Sequence, residues 1–150
     1  MNIKIVKGTC EYIKDCEEAL LKSSLGEQYF SSEKSALKAI EEALDKGNLY
    51  VAITDNICVG FFFYITNGAF HSYPYLHLIA VKEEYRGKGI GRQLVEFFEN
   101  ISGKDKFFLA VADYNEKAKR FYESIGYCQV GEIPGLYRKG ITEYIMMKVK

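Results

Sequence analysis

Tyr75-Leu76-His77-Leu78-Ile79-Ala80-Val81, followed after four residues by Arg86-Gly87-Lys88-Gly89-Ile90-Gly91-Arg92, is the stretch that decides the fold. The first part reads as a strand apolar on both faces, with His77 the main exception. Such a strand belongs at the centre of a sheet. The second part reads as a glycine-rich loop opening a helix. Three glycines within five positions, flanked by Arg86, Lys88 and Arg92, exceed what a plain turn into a helix requires. Bare backbone N–H groups and positive charge at a helix start suit a phosphate or pyrophosphate.

Working outward, the pattern turns helical from Gly89. Ile90, Leu94, Phe97, Phe98 and Ile101 fall on one stripe, and Gly103 stops it. Residues 107–112 read as another buried strand. Asp113 or Asn115 can cap a following helix with the face Ala118, Phe121, Tyr122 and Ile125, ended by Gly126. Residues 127–133 and 142–149 read as closing strands. Upstream, Leu49 to Thr54 and residues 57–65 form a hairpin at Asp55-Asn56. Asn67, Gly68 and Pro74 mark a loop. Ile3 and Ile5 around Lys4 suggest a first strand, and Ile13, Cys16 and Leu20 recur at helical spacing. A break is expected over residues 23–32, around Gly26. Ser32, Glu33 and Ser35 then cap a second helix with the face Ala36, Leu37, Ile40, Ala43 and Leu44, ending at Gly47.

The expected order is β-α-α-β-β-β-α-β-α-β-β: a mixed α/β (α+β) sheet with about four helices on its two faces. The β-α-β crossover requires a parallel pair between the strands ending at Val81 and Ala112. At 150 residues, one domain over 1–150 is expected, with 1–48 lying before the 49–149 core. Apolar residues make up 48%, which excludes disorder. Twenty basic and twenty acidic residues cancel, which argues against a nucleic-acid or anionic-membrane partner. The longest apolar run, residues 59–65, is far too short to span a bilayer. Met1-Asn2-Ile3-Lys4 alternates like a strand rather than a signal peptide, so a cytoplasmic location is expected. Cys10, Cys16, Cys58 and Cys128 match neither a zinc knuckle nor a CxxC pair, and buried free thiols and no metal are expected.

The glycine pattern fails the dinucleotide fingerprint at Arg92, and a Walker loop is absent. The pattern Arg86-x-x-Gly89-x-Gly91 after Ile79-Ala80-Val81 resembles motif A of the GCN5-related N-acetyltransferase (GNAT) superfamily. Asn115-x-x-Ala118-x-x-Phe121-Tyr122-x-x-x-Gly126-Tyr127 resembles its motif B, and the two stand in the right order. The resemblance covers residues 49–149 well; the first 48 match only in element order.

The resemblance implies a GNAT-like acyl-CoA N-acyltransferase fold with acetyl-CoA as co-substrate. Backbone N–H groups of Arg86, Gly87, Lys88, Gly89, Ile90 and Gly91, with Arg92, would hold the pyrophosphate. The pantetheine arm would run along Ile79, Ala80 and Val81, with Asn115 hydrogen-bonding it and Ala118 and Phe121 flanking it. Tyr122 would protonate the leaving thiolate. His77 shares a strand side with Ile79 and Val81 and is the leading group to take a proton from the amine. Tyr75 stands where arylalkylamine-type members carry a second histidine and histone-type members a glutamate. Ala110 matches the fifth-strand glutamate of some members acting on protein N-termini. Acceptor-side candidates are Glu27, Tyr29, His71 and Tyr75, with Glu143 and Tyr137 able to meet a cationic amine.

The expected activity is therefore acetyl transfer to a primary amine of a small molecule or peptide, by direct attack in a ternary complex. The alternatives are a non-catalytic acyl-CoA-binding or sensing module, and an interaction protein on the same fold. A homodimer through a sheet edge is compatible with such a fold.

Overall fold

The computed structural model describes residues 1–32 and 34–150. Seven strands form one mixed sheet in the order β1-β2-β3-β4-β5-β7-β6. By contacts the chain forms two compact units. One comprises Met1–Tyr64 and Leu78–Ile101, the other Ile65–His77 and Ser102–Lys150. The strand that opened the sequence argument, β4 (Tyr73–Val81), stands fourth of the seven.

In the first unit, β1 (Lys4–Lys7) pairs antiparallel with β2 (Leu49–Thr54), and β2 with the part of β3 (Ile57–Ala69) that precedes Ile65. The β2–β3 hairpin turns where Asp55-Asn56 predicted it. Both residues take positive φ, 50° and 63°, as a type I′ turn demands. Helix α1 (Ile13–Leu21) buries Cys16, Ala19 and Leu20, and α3 (Ser35–Lys46) buries Ala36, Ile40 and Ala43. Helix α4 (Ile90–Ser102) buries Ile90, Leu94, Val95, Phe98 and Glu99. Its apolar stripe meets an aromatic layer from the sheet. Phe62 lies edge-on to Phe98 at 6.0 Å, and Tyr50 stacks on Phe62 at 5.3 Å. Each such pair adds about 1 kcal/mol beyond the area it buries.

The second unit holds β5 (Lys106–Ala112), α5 (Glu116–Ser124), β6 (Cys128–Pro134) and β7 (Thr142–Val149). The predicted parallel pair is present, at Tyr75↔Phe108 and Leu76↔Leu109. Strand β7 runs antiparallel between β5 and β6, with Ala112↔Glu143 and Ile133↔Glu143 in register.

Several sequence expectations are corrected. The break expected over residues 23–32 contains a six-residue helix, α2 (Ser24–Tyr29), so there are five α-helices among the described residues. Ser23 caps it by accepting from the Gly26 N–H at 3.0 Å. Glycine is required at 26 because a Cβ there would collide with the Leu20 carbonyl. Ser32 does not cap α3: Lys34 takes the N-cap place in a left-handed conformation, and Ser35 Oγ donates to the Ser32 carbonyl at 2.9 Å. Glu33, the third member of that expected cap, lies outside the described residues. Asn67 and Gly68 continue β3, and Pro74 lies inside β4. The actual turn is Phe70-His71, both at φ 57°. Strand β4 is not buried on both faces. Pro74, Leu76, Leu78 and Ala80 are buried, while Tyr75, His77, Ile79 and Val81 keep partial exposure. Only Cys16 and Cys58 are buried thiols, hydrogen-bonded to each other; Cys10 and Cys128 are exposed.

Candidate active site

The glycine-rich loop belongs to the first unit and is built by the end of β4. After Val81 a 3-10 turn, Glu83–Tyr85, leads to Arg86 and α4. Gly87 and Gly89 take φ +76° and +84°, conformations that L side chains rarely adopt. A Cβ built at either position would meet nothing within 4 Å. Glycine is thus demanded by the backbone, and the space beside that backbone is open. Gln93 N–H donates to the Gly89 carbonyl at 3.2 Å, which starts the helical ladder. The preceding N–H groups, of Ile90, Gly91 and Arg92, are those a helix leaves without internal acceptors. An anion of pyrophosphate size suits that end by dipole and by hydrogen bonding.

Arg86 has a fixed position rather than acting only as a solvated charge. Its Nε donates to the Val81 carbonyl at 3.0 Å and its guanidinium to the Lys22 carbonyl at 2.8 Å. It therefore joins the end of β4 to the end of α1. Beside it, Lys82 donates to Asp15 at 2.6 Å and lies 3.5 Å from Glu18. Burial alone would lower the Lys82 pKa. The hydrogen bond and charge of Asp15, with Glu18, outweigh that and raise it above the ordinary lysine value. Sequence reading missed this ion pair. The available signal was Asp15 and Glu18 at i, i+3 on α1 and a lysine ending an apolar strand. Lys88 is exposed, and Arg92 pairs with Glu96 at 3.1 Å one helical turn on. Ile79 and Val81 are half-buried and Ala80 is buried. Of the acceptor-side candidates in this unit, Glu27 is exposed on α2 and Tyr29 half-buried at its end.

The second unit holds the other candidates. Asn115 caps α5, its Oδ1 accepting from Ala118 N–H at 3.2 Å. Asp113, the alternative cap, instead accepts from Thr142 N–H at 3.1 Å. Ala118 and Phe121 are half-buried. Tyr122 is buried, with its ring 5.1 Å from Phe121 and 5.8 Å from Tyr127. Burial raises its phenol above the usual tyrosine value, so the hydroxyl stays protonated. Tyr75 is raised too, first by burial and then by Tyr137, to which it is hydrogen-bonded, by the Glu143 carboxylate and by Tyr122. The structure thus brings Tyr75 and Tyr122 within electrostatic range of each other. His77 is exposed, its ring 6.0 Å from that of Tyr75. His71 is exposed in the Phe70-His71 turn.

Comparison with known proteins gives a consistent picture. The model of the acetyltransferase (GNAT) family matches residues 15–127. The chain is 39% identical over 64 residues to the thialysine N-epsilon-acetyltransferase of Sus scrofa, covering 41% of this chain and 38% of that one. It is 31% identical over 112 residues to an N-alpha-acetyltransferase of Saccharolobus solfataricus, covering 66% of this chain and 67% of that one. The chain spans only 23%, 38% and 65% of the length of three curated relatives it matches. A GNAT-family acetyltransferase of Bacillus cereus ATCC 10987 superposes with a TM-score of 0.83 at 21% identity, over 100% of this chain and 99% of that one.

Proposed function

The chain belongs to the acetyltransferase (GNAT) family, and from that premise we propose that it is an acetyl-CoA-dependent N-acetyltransferase acting on a primary amine. The observation that carries this reading is the loop at the start of α4, where two positive-φ glycines stand beside open space and a helix N-terminus. That geometry fits the pyrophosphate of coenzyme A. Acetyl-CoA, when bound, supplies an activated acetyl thioester.

The roles proposed for the chain's own residues are those that the family resemblance implies. N–H groups of residues 86–91 hold the pyrophosphate, with Arg92 adding positive charge. Arg86 fixes the loop by its two carbonyl contacts. The backbone of Ile79, Ala80 and Val81 pairs with the pantetheine arm. Asn115 offers it the carboxamide nitrogen that its helix cap does not use, and Ala118 and Phe121 provide apolar contact. The neutral amine attacks the thioester carbonyl carbon, the carbon–sulfur bond breaks, and Tyr122 donates its proton to the departing thiolate. His77, directly or through water, takes the proton that the amine loses. Relatives named as a thialysine N-epsilon-acetyltransferase and an N-alpha-acetyltransferase support a primary amine as the acceptor class.

The test is release of free CoA from acetyl-CoA across amino acids, polyamines, aminoglycosides, arylalkylamines and short peptides, with Tyr122→Phe as control. Release that depends on Tyr122 supports the reading. Tight acetyl-CoA binding with no release against the whole panel replaces it with a sensing module.

A further inference from the structure

Two thiols stand beside the anchors of the glycine loop, and none of the roles above uses them. Cys16 lies near the start of α1 and Cys58 is the second residue of β3; they are 0% and 2% exposed. One lysine ties their chain neighbours together. Lys82 Nζ donates to Asp15, the residue before Cys16, at 2.6 Å. Lys82 N–H donates to the carbonyl of Val59, the residue after Cys58, at 2.8 Å. The two sulfurs meet there. Cys16 donates its S–H to Cys58, and Cys58 donates to the Gly60 carbonyl at 3.6 Å.

The contact makes the two thiols unequal. Its hydrogen bond holds the Cys16 thiol above the ordinary value, as burial also does, and lowers that of Cys58. Oxidants attack sulfur of thiolate character, so Cys58 is the sulfur that reacts first and Cys16 the one that resolves it. Position agrees. Ile57, next to Cys58 beside the Asp55-Asn56 turn, is 44% exposed, whereas Cys16 is fully covered. A disulfide holds its sulfurs far closer than a hydrogen bond does, so its closure draws α1 and β3 together. Helix α1 also holds the loop. Asp15 and Glu18 hold Lys82, and the carbonyl of Lys22, its C-cap, holds Arg86 at 2.8 Å. Those contacts are at hydrogen-bond length while the thiols are reduced, and a displaced helix lengthens them.

We propose that Cys16 and Cys58 are a peroxide-sensitive pair whose closure to a disulfide loosens the loop at the start of α4 and weakens its hold on coenzyme A. The effect on coenzyme A rests on the acetyltransferase reading. The Cys58 sulfur attacks one oxygen of hydrogen peroxide. A sulfur–oxygen bond forms, the oxygen–oxygen bond breaks, and the leaving hydroxide takes the Cys58 proton as water. The Cys16 sulfur then attacks the Cys58 sulfur. The sulfur–sulfur bond forms, the sulfur–oxygen bond breaks, and a second hydroxide leaves as water with the Cys16 proton. The two thiols together lose two electrons, and one peroxide becomes two waters. A dithiol reductant reverses the bridge by exchange.

Replacing the two exposed thiols, by Cys10→Ser and Cys128→Ser, isolates the pair for the test. After peroxide, alkylation in denaturant should find neither thiol free, and a tryptic digest should contain the Cys16 and Cys58 peptides linked. Titration calorimetry should show CoA bound about fivefold or more weakly by the oxidised protein, with recovery in dithiothreitol. Cys58→Ala should bind CoA like the reduced protein and ignore peroxide; should it fail to fold, Cys16→Ser serves the same purpose. Thiols that stay free, or a Cys58 sulfinic acid with no bridge, overturn the pair. Unchanged CoA affinity in a fully bridged protein overturns the coupling and leaves the acetyltransferase reading intact. A bridge that forms in a protein binding CoA in neither state overturns the cofactor reading and leaves the thiol pair standing.

Discussion

Tyr122, the acid we propose, is buried between the rings of Phe121 and Tyr127. Burial raises its phenol above the ordinary value, so the proton stays in place through the working pH range. Tyr122→Phe keeps the ring contacts to Phe121 and Tyr127 and removes the proton. We expect kcat to fall about 100-fold or more, in the range general acid catalysis supplies, with acetyl-CoA affinity unchanged by calorimetry. An undiminished kcat would transfer the role elsewhere. His77 makes a different prediction, because an imidazole must be neutral before it can take a proton. If it takes the amine proton, His77→Gln removes the acidic limb of the pH–kcat profile. A superimposable profile would assign that step to water.

At the scale of elements, the junction of β4 and α4 is held by side chains reaching back to α1. Arg86 caps two carbonyls and Lys82 is inserted between Asp15 and Glu18. Lys82→Ala should cost about 1–3 kcal/mol in urea unfolding, the range for a charge-assisted hydrogen bond, because Lys82 is well buried while its partners are half exposed. A loss near zero would mean that solvent already screens the pair. Gly89→Val should act on binding. At φ +84° a side-chain-bearing residue is strained by about 1–2 kcal/mol and would fill the open space beside the loop. We expect the thermal upshift given by saturating CoA to vanish in this variant while the unliganded protein still melts cooperatively. A full upshift would show that the ligand binds elsewhere.

Across the whole molecule, alkaline pH tests the phenols of Tyr75 and Tyr122 together. Burial raises the pKa of both Tyr75 and Tyr122 in the folded state above the ordinary tyrosine value of 10.0. Below about pH 10 both states carry these protons and stability is unaffected; above it the unfolded chain releases them while the folded chain retains them. Stability should therefore fall as pH rises above 10, and less steeply in Tyr122→Phe. A flat urea midpoint from pH 9 to 11 would contradict this. The same chemistry explains what sequence could tell. Asp55-Asn56 was legible because Asn and Asp tolerate positive φ. Phe70-His71 was not, because a bulky residue at φ 57° runs against propensity, and Asn67-Gly68 offered a better-looking turn nearby. Helix α2 hid because six residues with Gly26 show no apolar period. The glycine loop was legible since backbone conformation itself selects glycine. The partners of Arg86 were invisible because both are main-chain carbonyls, which carry no sequence signal.

The distribution of the four thiols has a practical consequence. Cys16 and Cys58 are buried against each other, whereas Cys10 is exposed in one compact unit and Cys128 in the other. A bulky maleimide or methanethiosulfonate reagent reacts with thiols it can reach. Native protein therefore accepts two labels, one on each unit, with no residue replaced. Paired spin labels or dyes at Cys10 and Cys128 make the unmodified sequence its own ruler, able to report whether coenzyme A or an amine changes the separation of the two units.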